Sequence, residues 1–168
     1  MNPKGPTIRS PDGDSIVAEV EVDAPPQRVF KALTDQGELV RWFTDAKHPV
    51  HRWEIDARPG GRFRYFVDDV TAALHKVSPF ECHGEILEFD PPRLLVYTWI
   101  ASWHADKARR TVVRWELEPT QGGTHVKVTH SGLANEQAAF KDYSSGWLDV
   151  VKMLDSFLHQ TAKSSWSG

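Results

Sequence analysis

The residues of this 168-residue chain whose types and spacing could do chemistry are few and scattered. His48-Pro49-Val50-His51 has the H-x-x-H spacing of a zinc pair, but its proline places it in a loop, where two rings do not share a helical face. No metal site is expected. His83 alternates with Glu81 and Glu85 and reads as part of a solvated strand face, while His75, His104 and His125 fall in loops or among polar neighbours. His130 reads as a hydrogen-bonding residue at a strand end. Cys82 has the parity of Ile86 and no basic neighbour to lower its thiol pKa, so it reads as an inert core thiol. As the sole cysteine it can form neither an internal disulfide nor a thiolate cluster. Asp56 and Arg64 could serve as acid and polariser at the mouth of a cavity, or simply as a cross-strand ion pair. Lys107, Arg109 and Arg110 make a basic loop beside Trp103 and His104. No G-x-S-x-G, phosphate loop, dinucleotide fingerprint or zinc-finger spacing occurs, so no catalytic constellation stands out and no cofactor is expected.

Aromatic rings are the stronger signal. The chain has seven tryptophans, eight phenylalanines and three tyrosines. Rings of this size either fill a core or line a cavity for an apolar ligand. Trp42, Phe43, Trp53, Phe63, Tyr65, Trp99, Trp115 and Trp147, with Val151 and Leu154, are the residues expected to face one shared interior. Gly146 sharpens the choice, because a mid-helix glycine costs about 1 kcal/mol relative to alanine and calls for a reason, either close packing on a strand or room for a ligand.

The elements that must position these rings follow from periodicity. Ile16, Ala18, Val20 and Val22 alternate with polar residues as a half-buried strand does. Asp23 followed by Pro25 and Pro26 predicts a capped short helix, and Asp35 with Glu38 predicts a capping box opening a second one. Trp53, Ile55 and Ala57, then Phe63, Tyr65 and Val67, predict a hairpin. A three-residue Pro59-Gly60-Gly61 turn would pair Asp56 with Arg64 and Ile55 with Tyr65. Strands are expected over 80–89, 93–100, 110–118 and 124–130. The stretch 94–100 is apolar at nearly every position, so its inward face cannot be read from alternation. Phe140, Tyr143, Trp147, Val150, Val151, Leu154, Phe157 and Leu158 recur at helical spacing and predict a long last helix capped by Asn135 and running to about Gln160. The reading is an α+β fold in which a seven-stranded curved antiparallel sheet wraps around that helix, as one domain over 15–161. Residues 1–14 read as a flexible arm and 162–168 as a tail.

Composition bounds the partners. Twenty Lys+Arg against 23 Asp+Glu give a net charge of −3 without a concentrated positive field, which argues against nucleic acid and polybasic membrane contacts. No apolar run approaches the roughly 20 residues that span a bilayer, and the N-terminus lacks the apolar stretch of a signal peptide. A cytoplasmic protein, monomer or dimer, is expected.

The order of several short segments resembles a known family. These are Ala24-Pro25-Pro26-Gln27-Arg28-Val29-Phe30, Trp42-Phe43, Arg58-Pro59-Gly60-Gly61-Arg62-Phe63, Gly84-Glu85-Ile86-Leu87-Glu88, Pro91-Pro92-Arg93-Leu94, Tyr97-Thr98-Trp99, Thr129-His130-Ser131-Gly132-Leu133 and Gly146-Trp147. Together they resemble the START-like, helix-grip superfamily, in its branch of domains like the activator of the heat-shock-protein-90 ATPase. The resemblance implies a cavity between sheet and long helix, commonly used for lipids, polyketides or other apolar molecules. It does not imply one reaction. Only 14 residues precede the first expected strand, so no counterpart is expected for the N-terminal domain with which the eukaryotic co-chaperone engages its chaperone. The leading expectation is binding of a small hydrophobic or aromatic molecule. The alternatives are a cyclase, dehydratase or hydrolase acting on such a ligand through Tyr65, Arg64 or Asp56, or a protein-interaction module that stimulates a chaperone.

Overall fold

Alternation of apolar and polar residues becomes pleated sheet along most of the chain. The structure, a computed structural model, describes residues 5–44 and 51–166, with side chains through residue 162 of the last helix. Its elements run β1 (Thr7–Arg9), β2 (Ile16–Val22), α1 (Pro26–Thr34), α2 (Gln36–Trp42), β3 (Arg52–Ile55), β4 (Arg62–Val67), α3 (Asp69–His75), β5 (Phe80–Asp90), β6 (Leu94–Ala101), β7 (Thr111–Thr120), β8 (Gly123–Ser131) and α4 (Gln137–Trp166). One antiparallel sheet has the order β1-β2-β8-β7-β6-β5-β4-β3. Thirty residues make α4 about 45 Å long, and its apolar stripe lies on the sheet together with α1 and α2.

The sheet has eight strands, one more than expected. The extra strand, β1, comes from the segment read as a loose arm: Ile8 pairs with Ala18 and packs partly buried against the core, and three residues are too few to show an apolar alternation. Helix α3 is also additional. Asp68 caps it by accepting the Thr71 N–H at 2.7 Å, and only Ala72 of its side chains is buried, leaving Val70 and Leu74 outside.

Helix starts differ from expectation in detail. Asp35 accepts the Glu38 N–H at 3.1 Å, one half of the expected box. The Glu38 carboxylate turns instead to Arg28 at 2.7 Å. Pro25, not Asp23, occupies the cap of α1, with no side-chain cap. The Glu136 carbonyl accepts the Phe140 N–H at 2.8 Å, so α4 starts one residue beyond the Asn135 cap position expected, and it runs past Gln160 to Trp166.

The β3–β4 hairpin corrects the expected register. Trp53 faces Tyr65, Glu54 faces Arg64 and Ile55 faces Phe63, while the Asp56 N–H bonds the Arg62 carbonyl, so the loop holds five residues rather than three. The cause is the neighbouring strand: Gly60 N–H bonds the Ile86 carbonyl at 2.9 Å, and Ile86 N–H bonds the Gly61 carbonyl at 2.8 Å. These bonds hold the loop open against β5. A Cβ at Gly61 would sit 1.9 Å from the Asp56 carbonyl oxygen, so no other residue fits. The slip is two residues, an even number, and Trp53, Phe63 and Tyr65 therefore keep the inward face.

Strand β6 is buried on both faces. Leu95, Tyr97, Trp99 and Ala101 face the core. Outward-facing Val96 lies between its partners Glu88 and Arg114, whose ion pair at 3.4 Å bridges over it.

Candidate functional site

Every ring expected to share one interior does so. Helix α2 and its end supply Trp42 and Phe43, β3 supplies Trp53, β4 supplies Phe63 and Tyr65, β6 and β7 supply Trp99 and Trp115, and α4 supplies Trp147, Val151 and Leu154. All ten are buried in one cluster. Phe43 is its hub, with ring centroids 4.9 Å from Trp53, 5.6 Å from Tyr65, 6.2 Å from Trp147 and 6.4 Å from Trp99. Trp53 stacks on Tyr65 at 4.7 Å. Gly84 makes room for this layer, because a Cβ there would come within 2.7 Å of the Phe63 ring and 1.8 Å of the Thr98 carbonyl oxygen.

A buried indole must still satisfy its N–H. Trp42 donates to the Ala32 carbonyl (2.8 Å), Trp53 to the Phe43 carbonyl (3.0 Å), Trp115 to the Tyr97 hydroxyl (2.9 Å) and Trp147 to Nδ1 of His130 (3.0 Å). Trp99 and the 40%-exposed Trp103, at the rim of the cluster, both donate to the Tyr143 hydroxyl, at 3.0 and 2.8 Å. Six indoles are thus fixed in orientation by bonds within the protein, and only their ring faces and edges remain for contact. Burial pushes the Tyr143 and Tyr97 hydroxyls well above their usual pKa, so both stay protonated.

Polar atoms gather at one end of this interior. Tyr143 also meets Nε2 of His104 at 2.9 Å. Tyr65 meets Nδ1 of His51 at 2.5 Å, and the Phe80 ring lies 5.2 Å from Tyr65 and 5.8 Å from Trp103, joining the two groups. The loop carrying Trp103 and His104 is tied to the start of α4 by Glu136, a carboxylate 1% exposed that accepts from the Ala105 and Asp106 N–H groups and from Arg109 at 2.7 Å. Burial raises the pKa of Glu136, but the Arg109 and backbone hydrogen bonds outweigh it and leave the group below the ordinary carboxylate value.

Sequence reasoning missed Tyr143, His104 and Glu136 as interior polar groups. Tyr143 was visible as a member of the α4 stripe, four residues before Trp147. His104 and Glu136 carried no local signal, since their partners lie 39 and about 30 residues away. His51 was read as half of a loop pair. It is buried against Tyr65, while His48 lies outside the described residues, and among the described residues no three His, Cys, Asp or Glu side chains are placed to hold a metal ion.

Asp56 and Arg64 do not pair. Asp56 bonds Arg58 at 2.7 Å, and Arg64 bonds Glu81 at 2.8 Å on the outer face of the sheet. Both line a depression of about 600 Å3 together with Glu54, Phe63, His83, Glu85 and Arg110. A second depression, of about 320 Å3, lies between β2 and α4 beside Glu21, Asp155 and His159. Cys82 is wholly buried, and burial pushes its thiol far above the usual value. Gly146 meets nothing within 4 Å of a built Cβ, so close strand packing is not the reason for it.

The family model described as "Activator of Hsp90 ATPase homolog 1-like protein" matches residues 23–159. Among solved structures, protein MLL2253 from Mesorhizobium loti is 27% identical with a TM-score of 0.69, over 88% of this chain and 98% of that one. CalU16 from Micromonospora echinospora is 23% identical with a TM-score of 0.63, over 94% and 86% of the two chains. DynU16, a protein in the dynemicin biosynthetic locus, is 23% identical with a TM-score of 0.68, over 89% of this chain and 48% of its own. The latter two likenesses show the fold alone. A comparison with curated proteins gave no match.

Proposed function

Because the chain belongs to the family of Activator of Hsp90 ATPase homolog 1-like proteins, and its aromatic interior lies between sheet and long helix, we propose that it binds a small apolar or aromatic molecule there. The observation that carries this reading is the set of six indoles whose N–H groups are all engaged within the protein. Such rings are pre-oriented walls. They offer area and π-faces, and their order costs little more on binding. The ligand occupies the end bounded by Phe43, Tyr65, Phe80 and Trp103, where polar atoms are within reach and the rings come from separate elements.

The competing reading is a core closed on itself. A library of fatty acids, naphthalenes and aromatic ketones distinguishes the two by thermal denaturation and by tryptophan emission. Binding to the native state raises the midpoint, by an amount equivalent to about 2.7 kcal/mol at a ligand concentration 100 times Kd, and quenches the emission. If no class shifts the midpoint or the emission, the rings are packing and the proposal falls.

A further inference from the structure

The hydrogen-bond inventory around Tyr143 fixes where His104 keeps its proton. A phenol oxygen has two lone pairs and one hydrogen. Trp99 and Trp103 are donors only, and they take both lone pairs. The phenol hydrogen is therefore given to Nε2 of His104, 2.9 Å away, which must be unprotonated. A neutral imidazole then carries its hydrogen on Nδ1. His104 is 3% exposed, and its Nδ1 is buried with no hydrogen-bond partner among the described residues.

His130 shows what this fold does with a histidine that is only structural. Its Nδ1 accepts from Trp147. Its Nε2 donates to the Thr111 hydroxyl at 2.8 Å, and that hydroxyl donates to the Trp99 carbonyl at 2.6 Å. Every polar atom is used. Among the described residues the N–H of His104 has no such outlet, although a buried donor left without an acceptor is among the more costly features of a folded interior. The imidazole ring that carries it has its centroid 6.1 Å from that of Trp103 and 5.8 Å from that of Tyr143, at the polar end of the aromatic cluster.

We propose that the Nδ1–H of His104 is the donor that recognises a neutral carbonyl oxygen on an aromatic ligand, an inference that rests on the binding reading above. Neutrality of the acceptor follows from the surroundings. Glu136 already places a buried carboxylate beside this loop and engages Arg109 and two backbone N–H groups, so a second anion there would meet its repulsion. The ligand ring then lies on indole faces, and its carbonyl ends on His104.

Two probes of nearly equal size test this, 2-acetonaphthone and 2-ethylnaphthalene, titrated against the intact chain by tryptophan quenching. The ketone is expected to bind about tenfold more tightly, the scale of one hydrogen bond in an apolar site, and His104→Phe is expected to bring the ratio close to one. Should the variant not fold, nitrogen-15 spectra of the wild-type imidazoles decide instead. The Nδ1–H form of His104 and a shift of its Nδ1 signal with the ketone alone support the proposal. Equal affinities of the wild type for both probes, or an Nε2–H form, overturn it while leaving the binding reading intact. Absence of binding by both probes also overturns it, and the binding reading then stands or falls with the wider library of fatty acids and other aromatics.

Discussion

Trp147 donates its indole N–H to Nδ1 of His130 across the helix–sheet interface at 3.0 Å, and neither side chain is more than 2% exposed. The bond requires an unprotonated Nδ1, so His130 cannot take up a proton without losing the link between α4 and β8. Burial does the rest, pushing its pKa from the ordinary 6.5 down to about 3. Below pH 6.5 the unfolded chain binds a proton that the native state refuses. This contribution to stability is therefore complete above pH 6.5 and is lost as pH falls toward 3. Between pH 7 and pH 5 the loss from His130 is about 2 kcal/mol. Urea denaturation at the two pH values checks it. His130→Gln, which cannot be protonated, is expected to lower stability at pH 7 and to flatten the dependence. A slope unchanged in the variant would contradict the assignment.

Glu136 sets a second, lower acid limit. Its carboxylate anchors the Trp103–His104 loop through two backbone N–H groups and Arg109. Its pKa lies below the ordinary value, so its contribution is present above the usual carboxylate range and disappears as pH falls through the lowered one. Glu136→Ala removes three charge-assisted hydrogen bonds from part-buried donors and is expected to cost about 1–3 kcal/mol. Hydrogen exchange offers a local readout: protection of the Ala105 and Asp106 amides is lost first. A variant with those amides still protected would show that the loop is held otherwise.

The parts of this protein legible in its sequence are those where one chemical rule acts alone. Alternation located the long strands and gave Trp53, Phe63 and Tyr65 their inward face. Helical spacing gave α4 its stripe. The hairpin register escaped because the loop answers to β5, through Gly60, Gly61 and Ile86, and not to its own turn preferences. Strand β1 and helix α3 each bring only one side chain inward, Ile8 and Ala72, so they leave no apolar period to read. The inward face of β6 was illegible because Leu94, Val96 and Thr98 are covered on the outside as fully as Leu95, Tyr97 and Trp99 are inside. At the site, ring types announced themselves. The polar groups that order them, Tyr143, His104 and His130, depend on partners brought from far along the chain.

The corrected register makes a pairwise prediction. Arg64 bonds Glu81 at 2.8 Å across the β4–β5 ladder, while Asp56 spends its carboxylate on Arg58. Both pairs are exposed, where a cross-strand ion pair contributes about 0.2–1 kcal/mol. A double-mutant cycle of Arg64→Ala with Glu81→Ala is expected to give a coupling in that range, reduced by salt. The same cycle with Asp56→Ala is expected to give none. Measurable coupling between Asp56 and Arg64 would restore the three-residue turn.

Gly146 allows a test that separates folding from function. It lies inside α4 and carries none of the positive φ angles found at Gly60, Gly122 and Gly132, so a side chain there is unstrained. A Cβ would meet nothing within 4 Å. Alanine narrows the unfolded ensemble and improves helix propensity, so Gly146→Ala is expected to stabilise the protein by about 0.5–1 kcal/mol, or a few degrees in midpoint for a chain of this length. Scanning calorimetry measures the gain. If the open space beside Gly146 also admits the ligand, Gly146→Leu fills it, and the ligand-induced rise in midpoint shrinks relative to that of Gly146→Ala. A destabilised alanine variant would mean that this stretch of α4 needs the glycine for its backbone path, and the space would then owe nothing to binding.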